Sequence, residues 1–323
     1  MKSNKKNNEL AILEKIFKEN DTFKVNTCEQ PDFLLKYNNG NTFGVEITEL
    51  YYDQTSARLN NKEGYVRDLI EKNKFIHKDD KKKLSVHEIK YYPRENIKNP
   101  VDSKMLFLPQ YNSTHFRKSL YSLIKDKNEK LNKYSDEMTE CLLIIDDREN
   151  RFNKLKLDKI GPNLFDDKIK EQVQSSKFYE IYLITVIDGG AKYIPLKAYL
   201  LLSDAYILSE YIKEKKLQSK MKSLGLDILD IYAEMLLHRA VSEVYGEVSA
   251  TKKIVCYQRY AFGIDQGEEL KVGIYDVYPQ LPSSPDVKYV LDPENNFFSE
   301  KEYSEFELEN KNKIASHGYI FDV

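Results

Sequence analysis

Residues 31–50, with the sequence PDFLLKYNNGNTFGVEITEL, predict two antiparallel β-strands joined by a tight turn. The Asn and Gly residues at 38–41 tolerate the positive φ angles that such a turn requires. Period-2 alternation in the second strand places Glu46 and Thr48 on the face opposite the apolar side chains. Pairing across this turn brings Asp32 close to Glu46. Two neighbouring carboxylates repel each other, and a divalent cation with oxygen ligands relieves that repulsion.

The Pro-Asp pair at 31–32, an apolar strand, a turn and a hydrophobic-Glu pair at 45–46 resemble the active-site hairpin of the PD-(D/E)XK nuclease superfamily. The resemblance implies that Asp32 and Glu46 bind one or two Mg²⁺ ions, for which Mn²⁺ can substitute, and that phosphodiester bonds are hydrolysed. The carbonyl oxygen of Ile47 is a further expected ligand, because carbonyl oxygens suit hard cations.

The signature of that superfamily normally has Lys two residues after the Glu, and Thr48 stands at this position. A hydroxyl can hold a water molecule, but it supplies no positive charge. The substitution leaves three alternatives: a basic group arrives from elsewhere, a second metal ion compensates, or activity is low or absent.

The resemblance also implies a Glu in the helix that precedes the hairpin. Residues 8–19 carry apolar side chains at helical spacing and predict an amphipathic helix. Glu9 borders its buried side and is the expected catalytic residue, with Glu14 as the alternative. An ordinary solvated helix charge is the competing interpretation of either residue.

Basic side chains on two later helices are candidates for phosphate contacts. One helix is predicted over residues 59–76 and could replace the missing strand Lys, and the other over residues 115–131. Residues 115–133 contain 6 basic and 2 acidic side chains, a balance that suits a phosphate backbone. The candidates are Arg67, Lys74, Arg117, Lys118, Lys125 and Lys127. Ordinary surface charge is the competing interpretation for each of them.

A second acidic motif, Glu88-Ile89-Lys90, is a literal E-x-K in a strand predicted over residues 84–92. A predicted helix separates it from Asp32, whereas the Glu46 strand follows Asp32 directly. We therefore prefer Glu46 and interpret Glu88 and Lys90 as exposed strand residues. Residues 78–83 and 93–112 are predicted to be loops.

Two continuous apolar segments, residues 141–145 and 179–187, predict strands that are buried on both faces. Together with the hairpin they predict an α/β (α+β) fold, in which a restriction-endonuclease-like core with a mixed central sheet flanked by helices occupies residues 1–200. Residues 201–323 are expected to form a helical and β region with an acidic tail, which serves as an accessory or assembly region.

Composition excludes several classes of protein. The 323 residues are 41% hydrophobic and contain no membrane-length apolar run, and no apolar segment follows the basic N-terminus. Three distant cysteines suggest neither a disulfide framework nor a zinc site, and a reducing cytoplasm fits best. Residues 264–323 hold 13 acidic and 5 basic side chains, so the preceding part is mildly basic. Neither a Gly-rich phosphate loop nor a Gly-x-Ser-x-Gly motif is present.

The sequence therefore predicts a cytoplasmic, Mg²⁺-dependent DNA endonuclease of a restriction-like or phage-defence system. Its expected partner is double-stranded DNA, and no association with a membrane is expected. Whether the chain also binds another protein or a second copy of itself is left open at this point. One alternative is a catalytically decayed nuclease fold that binds nucleic acid or assists assembly. Another is a plain α/β interaction protein in which Asp32 and Glu46 meet by chance.

Overall fold

A computed structural model describes residues 2–18, 22–92, 100–109, 111–131, 133–134, 138–239, 244–248, 252–257, 260–265, 273–276, 287–292, 295–315 and 320–323. The helices are α1 Lys2–Leu13, α2 Gln54–Asn61, α3 Tyr65–Lys72, α4 Lys78–Lys83, α5 Ser113–Leu131, α6 Ile160–Leu164, α7 Asp167–Gln174, α8 Leu196–Glu214, α9 Gln218–Ser223, α10 Ile228–His238 and α11 Glu300–Asn310. The strands are β1 Phe23–Thr27, β2 Phe33–Tyr37, β3 Thr42–Leu50, β4 Ser85–Tyr91, β5 Val101–Phe107, β6 Glu140–Asp147, β7 Glu180–Ile187, β8 Gly190–Pro195, β9 Val244–Val248, β10 Lys252–Tyr257, β11 Tyr260–Asp265, β12 Gly273–Asp276, β13 Val287–Lys288 and β14 Phe321–Asp322.

The largest sheet has the strand order β1-β2-β3-β6-β7-β8-β14. The first three strands form an antiparallel meander, β6 and β7 continue parallel to β3, and β8 is antiparallel to β7. The parallel pairing of β3 and β6 needs a long crossover, which contains α5. The prediction of a mixed α/β fold with a central sheet flanked by helices is therefore confirmed.

Both faces of this sheet are buried, as the apolar character of β6 and β7 predicts. One face packs Val45 and Ile144 against Leu13 of α1. The other packs Leu143 and Ile181 with the inner faces of α5, α7 and α8. Since side chains alternate along each strand, residues of β6 contribute to both clusters.

The predicted hairpin is confirmed in its register. Phe33 lies opposite Val45, and the turn between the strands contains Gly40 at φ 91°. Gly44 of β3 pairs with Cys141 at the start of β6. A Cβ atom at position 44 would come within 2.7 Å of the Pro31 ring and 2.5 Å of the Met138 sulfur. Glycine is thus required at this position to let the segment before Asp32 pack onto β3.

The predicted helix over residues 59–76 is wrong as a single element. Gly64 has a left-handed backbone with φ 72° and separates α2 from α3. The predicted charged loop at residues 78–83 is also wrong, because these residues form α4. The reason is Asp80, which is fully buried and accepts hydrogen bonds from α2 and α3.

The predicted strand over residues 84–92 is confirmed as β4, but it pairs with β5 in a separate two-stranded sheet. The loop predicted over residues 93–112 is therefore wrong for Val101–Phe107. Residues 93–99 and 110 lie outside the described residues.

Beyond β8, a second core forms from α8, α10 and α11 with strands β9 and β10. Helix α8 runs through residue 200, where the sequence suggested a boundary, and contributes side chains to both cores. A capping box with Asp227 and Asp230 begins α10. Strand β14 returns to the first sheet. Within the described part of the chain, no helix has the length and apolar character to cross a membrane.

Candidate metal and phosphodiester site

A cleft of about 1010 Å³ opens where α1, the start of β2, the middle of β3 and the end of α5 meet. Its lining includes every residue that the sequence assigned to catalysis or metal binding, namely Glu9, Asp32, Glu46, Ile47 and Thr48. These residues come from three separate elements, and the tertiary fold brings them to one place.

Asp32 is held from two sides at the mouth of β2. The backbone N–H of Ile47 donates to Asp32 Oδ2 at 2.9 Å, which fixes the carboxylate against β3. On the other side, Lys6 Nζ of α1 donates to Asp32 Oδ1 at 3.0 Å and to the Asp32 carbonyl oxygen at 3.1 Å. The carboxylate therefore has a fixed orientation and a cationic neighbour.

Glu46 extends from the middle of β3 toward α5. Lys127 Nζ contacts Glu46 Oε1 at 2.5 Å. The pKa of the Glu46 carboxyl is raised, mainly because the group is buried and also because the Asp32 carboxylate is near. The Lys127 ammonium lowers this pKa, but by less than burial raises it. Burial and the adjacent Glu46 carboxylate also raise the pKa of the Tyr134 hydroxyl well above its ordinary value. Asp32 and Glu46 thus interact electrostatically.

Glu9 reaches the cleft from α1, on the side that the predicted helix would bury. Only 7% of it is exposed, and Lys6 Nζ lies 3.2 Å from its Oε2 atom. The Lys6 ammonium therefore forms ion pairs with both Glu9 and Asp32. Thr48 is half-buried one residue beyond Ile47 and lines the same cleft.

The donor set fits a hard cation with an incomplete protein shell. Among the residues lining the cleft that the structure describes are six carboxylates and four lysines, so the cleft carries net negative charge. In the same described part of the chain, no three His, Cys, Asp or Glu side chains are grouped to hold a metal ion. Mg²⁺ is usually held by only one or two carboxylates, with waters and substrate phosphates completing its shell. Asp32 and Glu46 are two carboxylates in the lining of this cleft.

Apart from Lys127, the basic residues proposed from the sequence lie outside the described lining of the cleft. Arg67 and Lys74 are exposed near α3, and neither they nor Lys118 of α5 is among the described cleft residues. Arg117 pairs with Asp166 at 2.9 Å and donates to the Asn163 carbonyl, so it joins α5 to the α6–α7 segment.

The cationic side chains of the cleft are instead on α1, near the end of α5 and just beyond it. The cleft-lining lysines are Lys5, Lys127, Lys130 and Lys133. The basic run over residues 115–133 was the available signal, and Lys127 was among its candidates. The local sequence does not indicate which face of α5 meets β3.

Two other acidic motifs have structural roles. Asp147 accepts hydrogen bonds from the backbone N–H groups of Glu149 and Arg151, so it caps the turn after β6. Glu88 and Lys90 are exposed on β4, as expected from the sequence.

A second cavity of about 660 Å³ lies between α7, α8, α10 and α11. Its main cations already have an anionic partner, because Lys170 and Arg239 both pair with the buried Asp204. The residues that the sequence assigned to metal binding line the cleft at β2 and β3 and not this second cavity.

No family model, curated protein or solved structure matches this chain. The interpretation of the cleft accordingly depends on its own geometry and chemistry.

Proposed function

We propose that this protein is a Mg²⁺-dependent nuclease that hydrolyses phosphodiester bonds. The observation that carries the proposal is the convergence of Glu9, Asp32, Glu46 and Thr48 in a single acidic cleft. Only long-range folding can bring α1, β2 and β3 together with all their acidic residues facing one space. A chance pair of surface carboxylates would not be expected to include a third, nearly buried Glu from another helix.

Asp32 and Glu46, with the Ile47 carbonyl, would hold the ion. A bound Mg²⁺ polarises a phosphate oxygen and makes a water molecule more acidic. The protein orients the ligands: the Ile47 N–H fixes Asp32, and pairing of β2 with β3 fixes the separation of the two carboxylates. The lysines of the cleft offset the negative charge of the incoming phosphodiester.

Lys127 is the best candidate for the positive charge that Thr48 lacks. Its ammonium contacts Glu46 directly and its side chain is largely buried. From this position it can orient a water molecule or neutralise charge that develops on a phosphate oxygen. The Thr48 hydroxyl, on the same strand as Glu46 and in the lining of the same cleft, would hold that water molecule.

The strand arrangement supports a restriction-endonuclease-like core. Along residues 2–147 the order is helix α1, the antiparallel meander β1–β3, an insertion that contains α2–α4 and the β4–β5 ribbon, helix α5, and strand β6 parallel to β3. Such a mixed sheet, with the acidic hairpin beside the helix crossover, agrees with the superfamily that the hairpin resembles. We assign residues 201–323 an accessory role.

Double-stranded DNA is the substrate that we favour, in a restriction-like or phage-defence system. The three cysteines Cys28, Cys141 and Cys256 are free thiols, which fits action in a reducing cytoplasm. DNA is also the phosphodiester substrate that the resemblance implies.

The decisive experiment incubates the purified full chain with supercoiled plasmid and Mg²⁺ or Mn²⁺. We expect nicked or linear products, and we expect Asp32→Ala and Glu46→Ala each to abolish them. Glu88→Ala is the matched control, because Glu88 belongs to the other E-x-K motif and is exposed. Its activity should equal that of the unmodified chain.

One outcome would move the active site to another strand, and a second would contradict the enzyme proposal. If Glu88→Ala abolishes cleavage and Glu46→Ala does not, the active-site strand is β4. If the unmodified chain cleaves neither DNA nor RNA but binds Mn²⁺ in an Asp32-dependent way, the enzyme proposal is wrong and the alternative of a decayed nuclease fold replaces it.

A further inference from the structure

The β4–β5 ribbon forms a sheet of its own. Within the described residues it pairs with no third strand, and the seven pairs from Ser85↔Phe107 to Tyr91↔Val101 define its register. Among the described residues, its base packs on the rest of the protein, since Leu84 is buried and Leu106 contacts α3. An isolated two-stranded ribbon is marginally stable in water and gains stability when a face is covered.

The two faces of this ribbon differ in character. Alternation places the odd-numbered residues of both strands on one face, which we call the odd face. This face contains Ser85, His87, Ile89, Tyr91, Val101, Ser103, Met105 and Phe107. Tyr91 is 57% exposed, Val101 53%, Met105 46% and Phe107 47%. No Asp, Glu, Lys or Arg lies on this face, so it is an unusually apolar surface for an exposed strand pair.

The charges of the ribbon lie on its opposite face. Glu88 lies opposite Lys104 and Lys90 opposite Asp102 in the strand register, so cations and anions balance. A nucleic acid would require an excess of cations facing its phosphates, and the odd face has none. The surface chemistry therefore favours a protein, and specifically one with a neutral apolar face.

We infer that the odd face is an interface between two copies of this chain, packed face to face about a two-fold axis. A neutral apolar face is complementary to itself, which an isologous interface requires. With His87, the half-exposed side chains of this face offer on the order of 500 Å² per chain, or about 1000 Å² per dimer, which reaches the lower bound of a specific interface. Association should therefore be weak, with a Kd of roughly micromolar order.

Sedimentation velocity of the full chain tests this inference over concentrations from about 1 µM to about 100 µM. We expect the weight-average mass to rise from one chain toward two. Met105→Lys/Phe107→Lys should remain one chain throughout. The matched control Glu88→Gln/Lys104→Gln changes two exposed residues on the opposite face and should associate like the unmodified chain.

Cysteine cross-linking gives a second readout that leaves the apolar residues unchanged. Ser103→Cys lies on the odd face and Asp102→Cys on the opposite face, and both positions are exposed. Under mild oxidation we expect a covalent dimer from the first and little from the second. A chain that stays monomeric at the highest concentration, or equal cross-linking of both variants, would overturn the inference. DNA binding that Met105→Lys/Phe107→Lys abolishes, without any self-association of the unmodified chain, would equally overturn it.

Discussion

Removal of the Lys6 ammonium should strengthen cation binding at Asp32. Lys6 Nζ lies 3.0 Å from Asp32 Oδ1, 3.1 Å from the Asp32 carbonyl oxygen and 3.2 Å from Glu9 Oε2. It thus contacts a carboxylate oxygen of Asp32, which is one of the ligands of the proposed metal ion. A metal ion that binds there has to replace these contacts, so the present ion pair opposes metal binding.

The size of the expected change in metal affinity follows from the burial of the Lys6–Asp32 ion pair. The exposed fraction of the side chain is 33% for Lys6 and 13% for Asp32. Hydrogen bonds to charged groups contribute about 1.5–3 kcal/mol, and the partial exposure of Lys6 places this one near the lower bound. Since about 1.4 kcal/mol corresponds to a tenfold change in affinity, Lys6→Met should lower the Kd for Mn²⁺ about tenfold.

The assay is a Mn²⁺ titration followed by the electron paramagnetic resonance signal of the free ion. Lys5→Met is the matched control, since it removes one charge from the same helix. The side chain of Lys5 is 80% exposed, and its ion pair with Glu9 at 3.2 Å is a surface contact of little energy. Its Kd should change less than about twofold.

An unchanged or weaker Mn²⁺ affinity in Lys6→Met would refute this reasoning, because the ammonium would then not compete with the ion. If neither the unmodified chain nor Lys6→Met binds Mn²⁺, the proposed metal site itself is wrong. The two failures are therefore distinguishable.

Three further predictions concern activity, acid stability and packing. Lys127→Met should reduce plasmid cleavage about 100-fold or more while Mn²⁺ binding persists, whereas Lys118→Met on the exposed face of α5 should not. Burial alone would raise the pKa of Asp80, but its hydrogen bonds and its ion pair with Arg58 outweigh burial and lower the pKa from 3.8 to about 2. The ionised carboxylate therefore stabilises the fold above pH 3.8. This contribution to stability disappears as the pH falls through 2. Asp80→Asn should accordingly lower the free energy of unfolding at pH 7 by about 2 kcal/mol, and urea titrations should show the difference vanishing toward pH 2. Gly44→Ala places a methyl group 2.5 Å from a methionine sulfur and 2.7 Å from a proline ring. It should lower the free energy of unfolding, measured with urea, by about 1–3 kcal/mol. In the control Gly190→Ala, the new methyl group has no neighbour closer than 3.7 Å, so the loss should be smaller.

The elements nearest the site were predictable because their signals are local. Period-2 alternation and the turn at 38–41 define the hairpin, and the apolar run at 141–145 defines β6. Helices were less predictable. One left-handed residue, Gly64, divides a helix that apolar spacing had joined, and the burial of Asp80 forms a helix from residues that composition suggests are a loop.

Ion pairs of the site were not predictable from the sequence. Lys6 is 26 residues from Asp32, and Lys127 is 81 residues from Glu46. A lysine on an exposed helix face has the same local sequence whether it meets a carboxylate or solvent. Only the crossing of α1 and α5 over the β2–β3 end of the sheet selects these two lysines from the 50 basic residues of the chain.

Local sequence signals were sufficient to predict the acidic hairpin, the buried strands and the approach of Asp32 to Glu46. These features depend on alternation and turn geometry, which act over a few residues. Long-range packing selects the helix that covers each end of the sheet and the cations that neutralise the carboxylates. It also leaves β4 outside the main sheet. These features depend on contacts between residues that are far apart in the chain. Such contacts produce no repeating pattern in the local sequence, so they cannot be read from it.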